Sequence, residues 1–314
     1  MSHKRDTARH FDWFLQEKPY CFLYMLFNLY SPMTQSYQKK ITRANPSLIV
    51  VMLDGSNSMS EPWGNSGSTL SEGAAFALNR TLRDMAQNAC YNAEDGVRDY
   101  INLAVFKYGT EADKDNGVEW SLGSLSQPTT GFAPAGDWVP SYIREERVDG
   151  GNLPVWIEPH AWGWTPMCKA FGRAAHVVQQ HIDAFPDSFP PIVLNITDGI
   201  PTDHNDDWAQ FERAARAITD QHTTDGNALL FNIHIDASGN EHSISFPDAP
   251  VTNYSQYAEH LGRISSVLPA NMVARANEKL SLNISEAALG YCLNADLEQL
   301  SAFLQIGTFV PVQS

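Results

Sequence analysis

The run Leu48-Ile49-Val50-Val51-Met52-Leu53-Asp54-Gly55-Ser56-Asn57-Ser58 decides how the rest of the chain is read. Six apolar residues, rich in β-branched types, stand without a break and give way at Asp54 to a loop of Gly, Ser and Asn. A continuous apolar run of this length is the pattern of a strand covered on both faces, as in a mainly parallel sheet. Beyond the loop, Leu70, Ala74, Ala75, Leu78, Leu82 and Met85 recur at helical spacing, and Thr69 with Glu72 makes a T-x-x-E capping box. Strand, loop and helix therefore follow in that order.

Working outward, the same pattern repeats. Further strands are expected over 101–106, 191–196 and 228–235, with helices over 167–182 and 208–218 between them. Strands alternating with helices imply right-handed crossovers, and the expected fold class is α/β: a three-layer α/β/α, doubly wound, mainly parallel sheet. Around 108–163 the pattern loosens into Gly, Pro, Trp and charge, which reads as an edge strand near 118–122 plus an insertion with a strand-like piece at 155–158. After Pro250, helical stretches over 256–267 and 284–304 are expected to complete the outer layers around 251–314. No fixed-period repeat or low-complexity tract interrupts this.

Composition narrows the class. The 314 residues are 43% hydrophobic and 11% aromatic, enough to fill a core, so a disordered chain is excluded. Lys+Arg 21 against Asp+Glu 36 leaves a net charge of -15, which argues against nucleic acid as partner because phosphate binding needs clustered cations. Cys21, Cys90, Cys168 and Cys292 lie far apart with no C-x-x-C pair, the usage of reduced thiols in a cytosolic protein. Residues 20–30 (YCFLYMLFNLY) are apolar but about half the length a membrane span needs, and acidic residues ahead of them with no small-residue cleavage site argue against a secretory signal. Residues 1–32 are therefore read as an aromatic-rich extension, with a natural start at Met33 and one domain over 33–314.

The polar residues of interest fall where the strands are expected to end, the place where ligands bind in open α/β sheets. Asp54, Ser56 and Ser58 offer a carboxylate and two hydroxyls at two-residue steps. Asn195-Ile196-Thr197-Asp198-Gly199 brings a second carboxylate, Asp198, to the end of a later strand, and Gly163-Trp164-Thr165-Pro166-Met167 places a hydroxyl before a proline suited to the first helical position. Two carboxylates and three hydroxyls are hard oxygen donors that suit Mg²⁺, or Mn²⁺, and suit Zn²⁺ poorly. Mg²⁺ keeps exchangeable water positions, one of which a carboxylate from a protein partner can take.

These residues resemble the von Willebrand factor A domain and its metal-ion-dependent adhesion site, D-x-S-x-S followed by a Thr and an Asp in separate loops. By that match Asp54, Ser56, Ser58, Thr165 and Asp198 are the metal ligands, and Asn57 stands where many members carry Gly. A narrower resemblance is to bacterial cytoplasmic proteins of the tellurium-resistance-associated type, carried by Trp156-Ile157-Glu158-Pro159, Thr165-Pro166-Met167, Pro201-Thr202-Asp203 and Phe231-Asn232-Ile233-His234-Ile235. It implies a non-catalytic, cytoplasmic, metal-dependent protein-binding module in a stress or defence signalling system, beside a kinase, phosphatase or ATPase.

Other features compete with these. Asp203, Asp206 and Asp207 read as a solvated acidic loop near a helix N-terminus, His234 as a half-buried strand residue, and His160 and His204 as supports behind the metal ligands at most. Asn195-Ile196-Thr197 matches a glycosylation sequon inside a strand and is set aside. Trp156, Trp162 and Trp164 are either the core of the insertion or a recognition rim around the ion. The alternative function is a Mg²⁺-dependent phosphohydrolase at the same site, weakened because no general base stands beside it in sequence. No P-loop, G-x-G-x-x-G or complete G-x-S-x-G occurs.

Overall fold

The computed structural model describes residues 36–64, 66–109, 117–149, 151–237 and 243–308. The chain divides into two compact units, Met1–Gln35 and Ser36–Ser314, and the second carries all the described residues. The extension over 1–32 and the start at Met33 lie outside them. The Asp225 carboxylate ties down the beginning of the second unit, accepting from the Ser36 hydroxyl and from the backbone N–H of Gln38 (3.0 Å) and Lys39 (2.9 Å).

β1 (Ser47–Asp54) is buried along its whole length. Its side chains alternate between two cores, Ile49, Val51 and Leu53 in one and Leu48, Val50 and Met52 in the other, as the two-residue period of a strand requires. α1 (Leu70–Met85) opens on the expected capping box, Thr69 and Glu72 each closing on the other's backbone N–H, and buries Leu70, Ala74, Leu78 and Leu82 in the first core. A hairpin, β2 (Tyr91–Asn92) and β3 (Gly96–Val97), leads to β4 (Ile101–Tyr108), which pairs in parallel with β1. β5 (Val118–Trp120) returns antiparallel to β4. The short α2 (Ala135–Trp138) and a second hairpin, β6 (Arg144–Val148) with β7 (Gly151–Val155), fill the insertion.

α3 (Met167–Ala184), with Pro166 at its cap, packs Phe171, Ala174 and Val178 into the second core. β8 (Ile192–Thr197) pairs in parallel with β1 on the side away from β4. Then come α4 (Trp208–Thr219), a third hairpin of β9 (His222–Thr223) and β10 (Gly226–Asn227), and β11 (Leu229–Ile235), parallel to β8. The chain continues through β12 (Ile244–Ser245), α5 (Gln256–Ile264), α6 (Ala270–Leu280), β13 (Tyr291–Ala295) and α7 (Leu297–Gly307). The seven-stranded sheet has the order β12-β13-β11-β8-β1-β4-β5.

The expected doubly wound, mainly parallel three-layer domain is corrected by this topology. The sheet is mixed, with antiparallel pairs at both edges, and three antiparallel hairpins stand apart from it. The physical reason at one edge is chain length: Tyr108 to Val118 is shorter than the dozen or so residues of a parallel crossover, so β5 can only turn back. Its two- and three-residue edge strands also carry too little periodicity to register in sequence. The carboxyl-terminal region differs too. In place of one helix over 284–304, Tyr291–Ala295 forms β13 beside β11, and a D-x-x-Q box of Asp296 with Gln299 starts α7. A short apolar run cannot be told from a helical segment by periodicity, and pairing with β11 decides it.

His181, near the end of α3, is fully buried, its ring against Phe132 and Phe185 at 5.3 and 5.0 Å. Burial pulls its pKa down from 6.5 to about 3, offset in part by the Pro46 carbonyl. The unfolded chain therefore takes up the proton first. This contribution to stability is complete above pH 6.5 and is lost as pH falls toward 3, at up to about 1.4 kcal/mol per pH unit. His181→Phe should leave stability at pH 7.5 little changed and flatten the acid loss in denaturant titrations; parallel curves for the two proteins would contradict this origin.

Candidate functional site

Asp54 is the last residue of β1, and Thr197 the last of the neighbouring β8, so both stand at the carboxyl end of the parallel pair. The Asp54 side chain has no exposure to solvent. One oxygen accepts from the Ser56 backbone N–H (2.9 Å) and the other from the Thr197 hydroxyl (2.7 Å). Thr197 in turn accepts from the Tyr257 hydroxyl (3.3 Å) and the Gly199 N–H (3.1 Å). A chain of donors running inward from α5 thus fixes the carboxylate, as a buried polar group requires.

From Asp54 the polar cluster continues outward. The Ser56 and Ser58 hydroxyls lie 3.1 Å apart, and Ser58 donates to Asp198 Oδ1 at 2.9 Å. Thr165 is buried; a Cβ placed on Gly199 would stand 3.3 Å from its Oγ1 and 3.6 Å from Asp54 Oδ2. All five residues singled out in sequence therefore converge on one end of the sheet. The loops carrying them are stitched together: Trp162 N–H to the Gly55 carbonyl (2.6 Å), Asn57 and Gly163 reciprocally (3.1 and 3.2 Å), and Thr165 and Thr202 reciprocally (3.1 and 2.9 Å). Gly109 (φ +125°) supports the first loop at such close approach that a Cβ there would sit 2.5 Å from the Gly55 carbonyl carbon.

The electrostatics are unusual. Burial raises Asp54 to about 6 despite the hydrogen bonds from Thr197 and Ser56. Burial, then the Asp54 carboxylate and Glu61, raise Asp198 to about 7 against the Ser58 hydrogen bond. No ion pair among the described residues involves either carboxylate. Two carboxylates held close, one of them wholly buried, with no basic side chain beside them, are what a bound cation would neutralise. The donor set, two carboxylates and three hydroxyls, is of the kind that suits a hard divalent ion, and no group of three or more His, Cys, Asp or Glu that could hold a metal ion occurs among the described residues.

The neighbouring polar residues have other work. Asp203 caps α3, accepting from the N–H groups of Cys168 (3.0 Å) and Lys169 (2.9 Å), and Asp207 caps α4 and pairs with Arg213 (3.0 Å). His160 leans on Gly55, where an added Cβ would meet its ring at 2.8 Å. His204 is buried against Trp208 at 4.5 Å, and His234 accepts from the Asn294 N–H at 3.4 Å. His234 also hydrogen-bonds the Asp198 backbone, so it braces the third loop from behind. The three tryptophans separate: Trp156 is buried, its indole N–H donating to the Trp138 carbonyl (2.8 Å), whereas Trp162 and Trp164 are exposed beside the site.

Thr197, Tyr257, Tyr108 and Asn195 support the site from behind and lie outside the oxygen set that the sequence pattern marks. Tyr108 donates to Asn195 (2.8 Å), and Asn195 to Asn232 (3.0 Å), inside the sheet. The available signal was Asn195 and Thr197 inside an apolar strand, since buried polar side chains must find partners. Tyr257 gave none, because its helix reaches the site only through the fold.

No family model matches the chain, and no curated protein does. Solved structures similar to it include the pilus adhesin SpaC from Lactobacillus rhamnosus GG, at TM-score 0.47 and 12% identity, over 85% of this chain and 30% of that one. Others are the PilB minor pilin from Streptococcus sanguinis (TM-score 0.34, 9% identity, 65% of this chain and 52% of that one) and the pilus adhesin RrgA from Streptococcus pneumoniae (0.25, 16%, 50% and 21%). The chain thus spans less than two thirds of each, and likeness at this level assigns no activity. The family expectation is corrected: no family model supports the von Willebrand factor A resemblance, and these similar structures are pilus proteins, not tellurium-resistance-associated ones. The cytoplasmic placement, expected from the cysteine usage and from that resemblance, is corrected likewise, as are the stress or defence signalling role and the alternative phosphohydrolase. Motifs of three to five residues describe a site's chemistry and are too short to establish ancestry.

Thr197→Val should destabilise the protein by about 1–3 kcal/mol, because it strands the Asp54 oxygen, the Tyr257 hydroxyl and the Gly199 N–H together. Thr197→Ser should recover most of that loss. Destabilisation by Thr197→Ser as large as that by Thr197→Val in urea titrations would show that loss of the hydroxyl's hydrogen bonds is not the specific cause.

Proposed function

We propose that this chain is a cation-dependent binding module, not an enzyme, which holds Mg²⁺ or Mn²⁺ through Asp54, Ser56, Ser58, Thr165 and Asp198 and grips a protein partner through a carboxylate that completes the coordination. The observation that carries this reading is the uncompensated pair: a wholly buried Asp54 linked through Ser56 and Ser58 to Asp198, with no basic side chain paired to either. Desolvated carboxylates of this kind are costly unless a counter-charge is supplied. A divalent ion supplies it, and the hydroxyls add donors without adding charge, so the ion retains a net attraction for one further anionic oxygen.

The residues prepare such a site in separate ways. Thr197 and the Ser56 N–H orient Asp54, the turn at Gly55 brings Ser56 and Ser58 over it, and the bonds from the Thr165 N–H to the Thr202 hydroxyl and from the Thr202 N–H to the Thr165 carbonyl hold the second loop against the third. When bound, the cation provides electrostatic attraction for an incoming carboxylate. The chain itself excludes water from Asp54 and presents the opposite side of the cluster to solvent, where Asp198 is partly exposed.

Mg²⁺ or Mn²⁺ in excess over its dissociation constant should raise the melting temperature by a few degrees, reversibly on chelation. In chelator at pH 8, Asp198→Asn should be more stable than the unaltered protein by about 1 kcal/mol, since it removes the repulsion, and should lose the response to metal. An unaltered chain indifferent to both ions in calorimetric titration would overturn the reading.

A further inference from the structure

Trp162, Trp164 and Ile200 are 58%, 69% and 58% exposed, three of the nine exposed large apolar side chains among the described residues. They flank the oxygen cluster in sequence: Trp164 adjoins Thr165, Trp162 is tied by its N–H to the Gly55 carbonyl, and Ile200 follows Asp198 by two residues. Tryptophan is costly to leave in water and is enriched where a partner will cover it. The backbone beneath these side chains is fixed by the loop-to-loop hydrogen bonds at Gly55, Asn57, Gly163, Thr165 and Thr202, so the surface is ordered before anything binds.

Charge narrows what fits. Segments 54–61, 158–169 and 198–207 carry Asp54, Glu61, Glu158, Asp198, Asp203, Asp206 and Asp207 against a single basic residue, Lys169. A divalent ion offsets the two ligand carboxylates and leaves the surroundings acidic. A polyanion is therefore repelled everywhere except at the ion, and a wholly apolar ligand gains nothing from the ion. The surface suits one carboxylate with bulky apolar neighbours and no second acid.

We infer that this end of the sheet is the docking surface for a peptide segment of a partner protein in which a single Asp or Glu is flanked by aromatic or large aliphatic residues and by no other acidic ones. The inference rests on the cation reading above and adds the specificity around it: the carboxylate meets the ion while its flanking side chains cover Trp162, Trp164 and Ile200.

The test uses the full chain loaded with Mn²⁺ and fluorescein-labelled pentapeptides Gly-X-Asp-X-Gly with X as Phe, Leu, Ala or Glu, measured by fluorescence polarisation. Phe and Leu flanks should bind at least about tenfold more tightly than Ala flanks, and Glu flanks at least about tenfold more weakly. The double substitution Trp164→Ala with Ile200→Ala should reduce the Phe advantage to about twofold or less while leaving Mn²⁺ affinity, measured separately by calorimetry, unchanged. Equal affinity for Phe and Ala flanks, preference for Glu flanks, or tighter binding of heparin than of any peptide would overturn the inference while Mn²⁺ binding stands. Absence of Mn²⁺ binding by the unaltered chain, or equal binding when the peptide Asp is replaced by Asn, would bring down the cation reading itself.

Discussion

The Asp54 carboxylate, sealed from water at the carboxyl end of β1, is the constraint around which the functional end of this molecule is organised. A lone buried carboxylate is among the least favourable groups a fold can contain, so its surroundings must answer it. They do so with directed donors: the Ser56 N–H from the loop that follows, and the Thr197 hydroxyl from the adjacent strand, itself backed by Tyr257 on α5. The parallel pairing of β1 with β8 makes this possible, because it delivers both strand ends to the same place.

From that point the polar network spreads both ways. Outward, Ser56 and Ser58 relay to Asp198, and the second loop is laced to the first and third through Gly55, Asn57, Gly163 and Thr202. Inward, Tyr108, Asn195 and Asn232 form a line of hydrogen bonds across the sheet that ends at Ser265, just beyond α5. Amide and hydroxyl groups inside a β-sheet core are costly unless paired, and these four side chains are paired. The site and the sheet interior are therefore one hydrogen-bonded structure, and α5 belongs to it through Tyr257.

Legibility followed the strength of local signals. The buried strand at 48–53, the capping box of Thr69 and Glu72, and the helices beginning at Met167 and Trp208 stood out because their patterns are long or chemically specific. The sheet edges did not, because β5 and β12 are three and two residues long and their direction is set by connection length and by neighbours. The five residues of β13, mixed in apolar character, hold no period of their own, so the sequence pattern extends a helix across them. The wider family and cellular assignments failed for a related reason, since they leaned on short motifs that describe local chemistry.

What the sequence determined by itself was the inventory of hard oxygen donors and the strand ends that carry them: Asp54, Ser56, Ser58, Thr165 and Asp198 were identifiable because each follows or precedes a strong local pattern. Only the tertiary structure decided that the two carboxylates are linked through serine hydroxyls, that Thr197 and Tyr257 stand behind Asp54, and that Trp156 is core while Trp162 and Trp164 face solvent. The physical reason is that donor type is a property of a residue, whereas burial, counter-charge and pairing are properties of what the fold brings beside it.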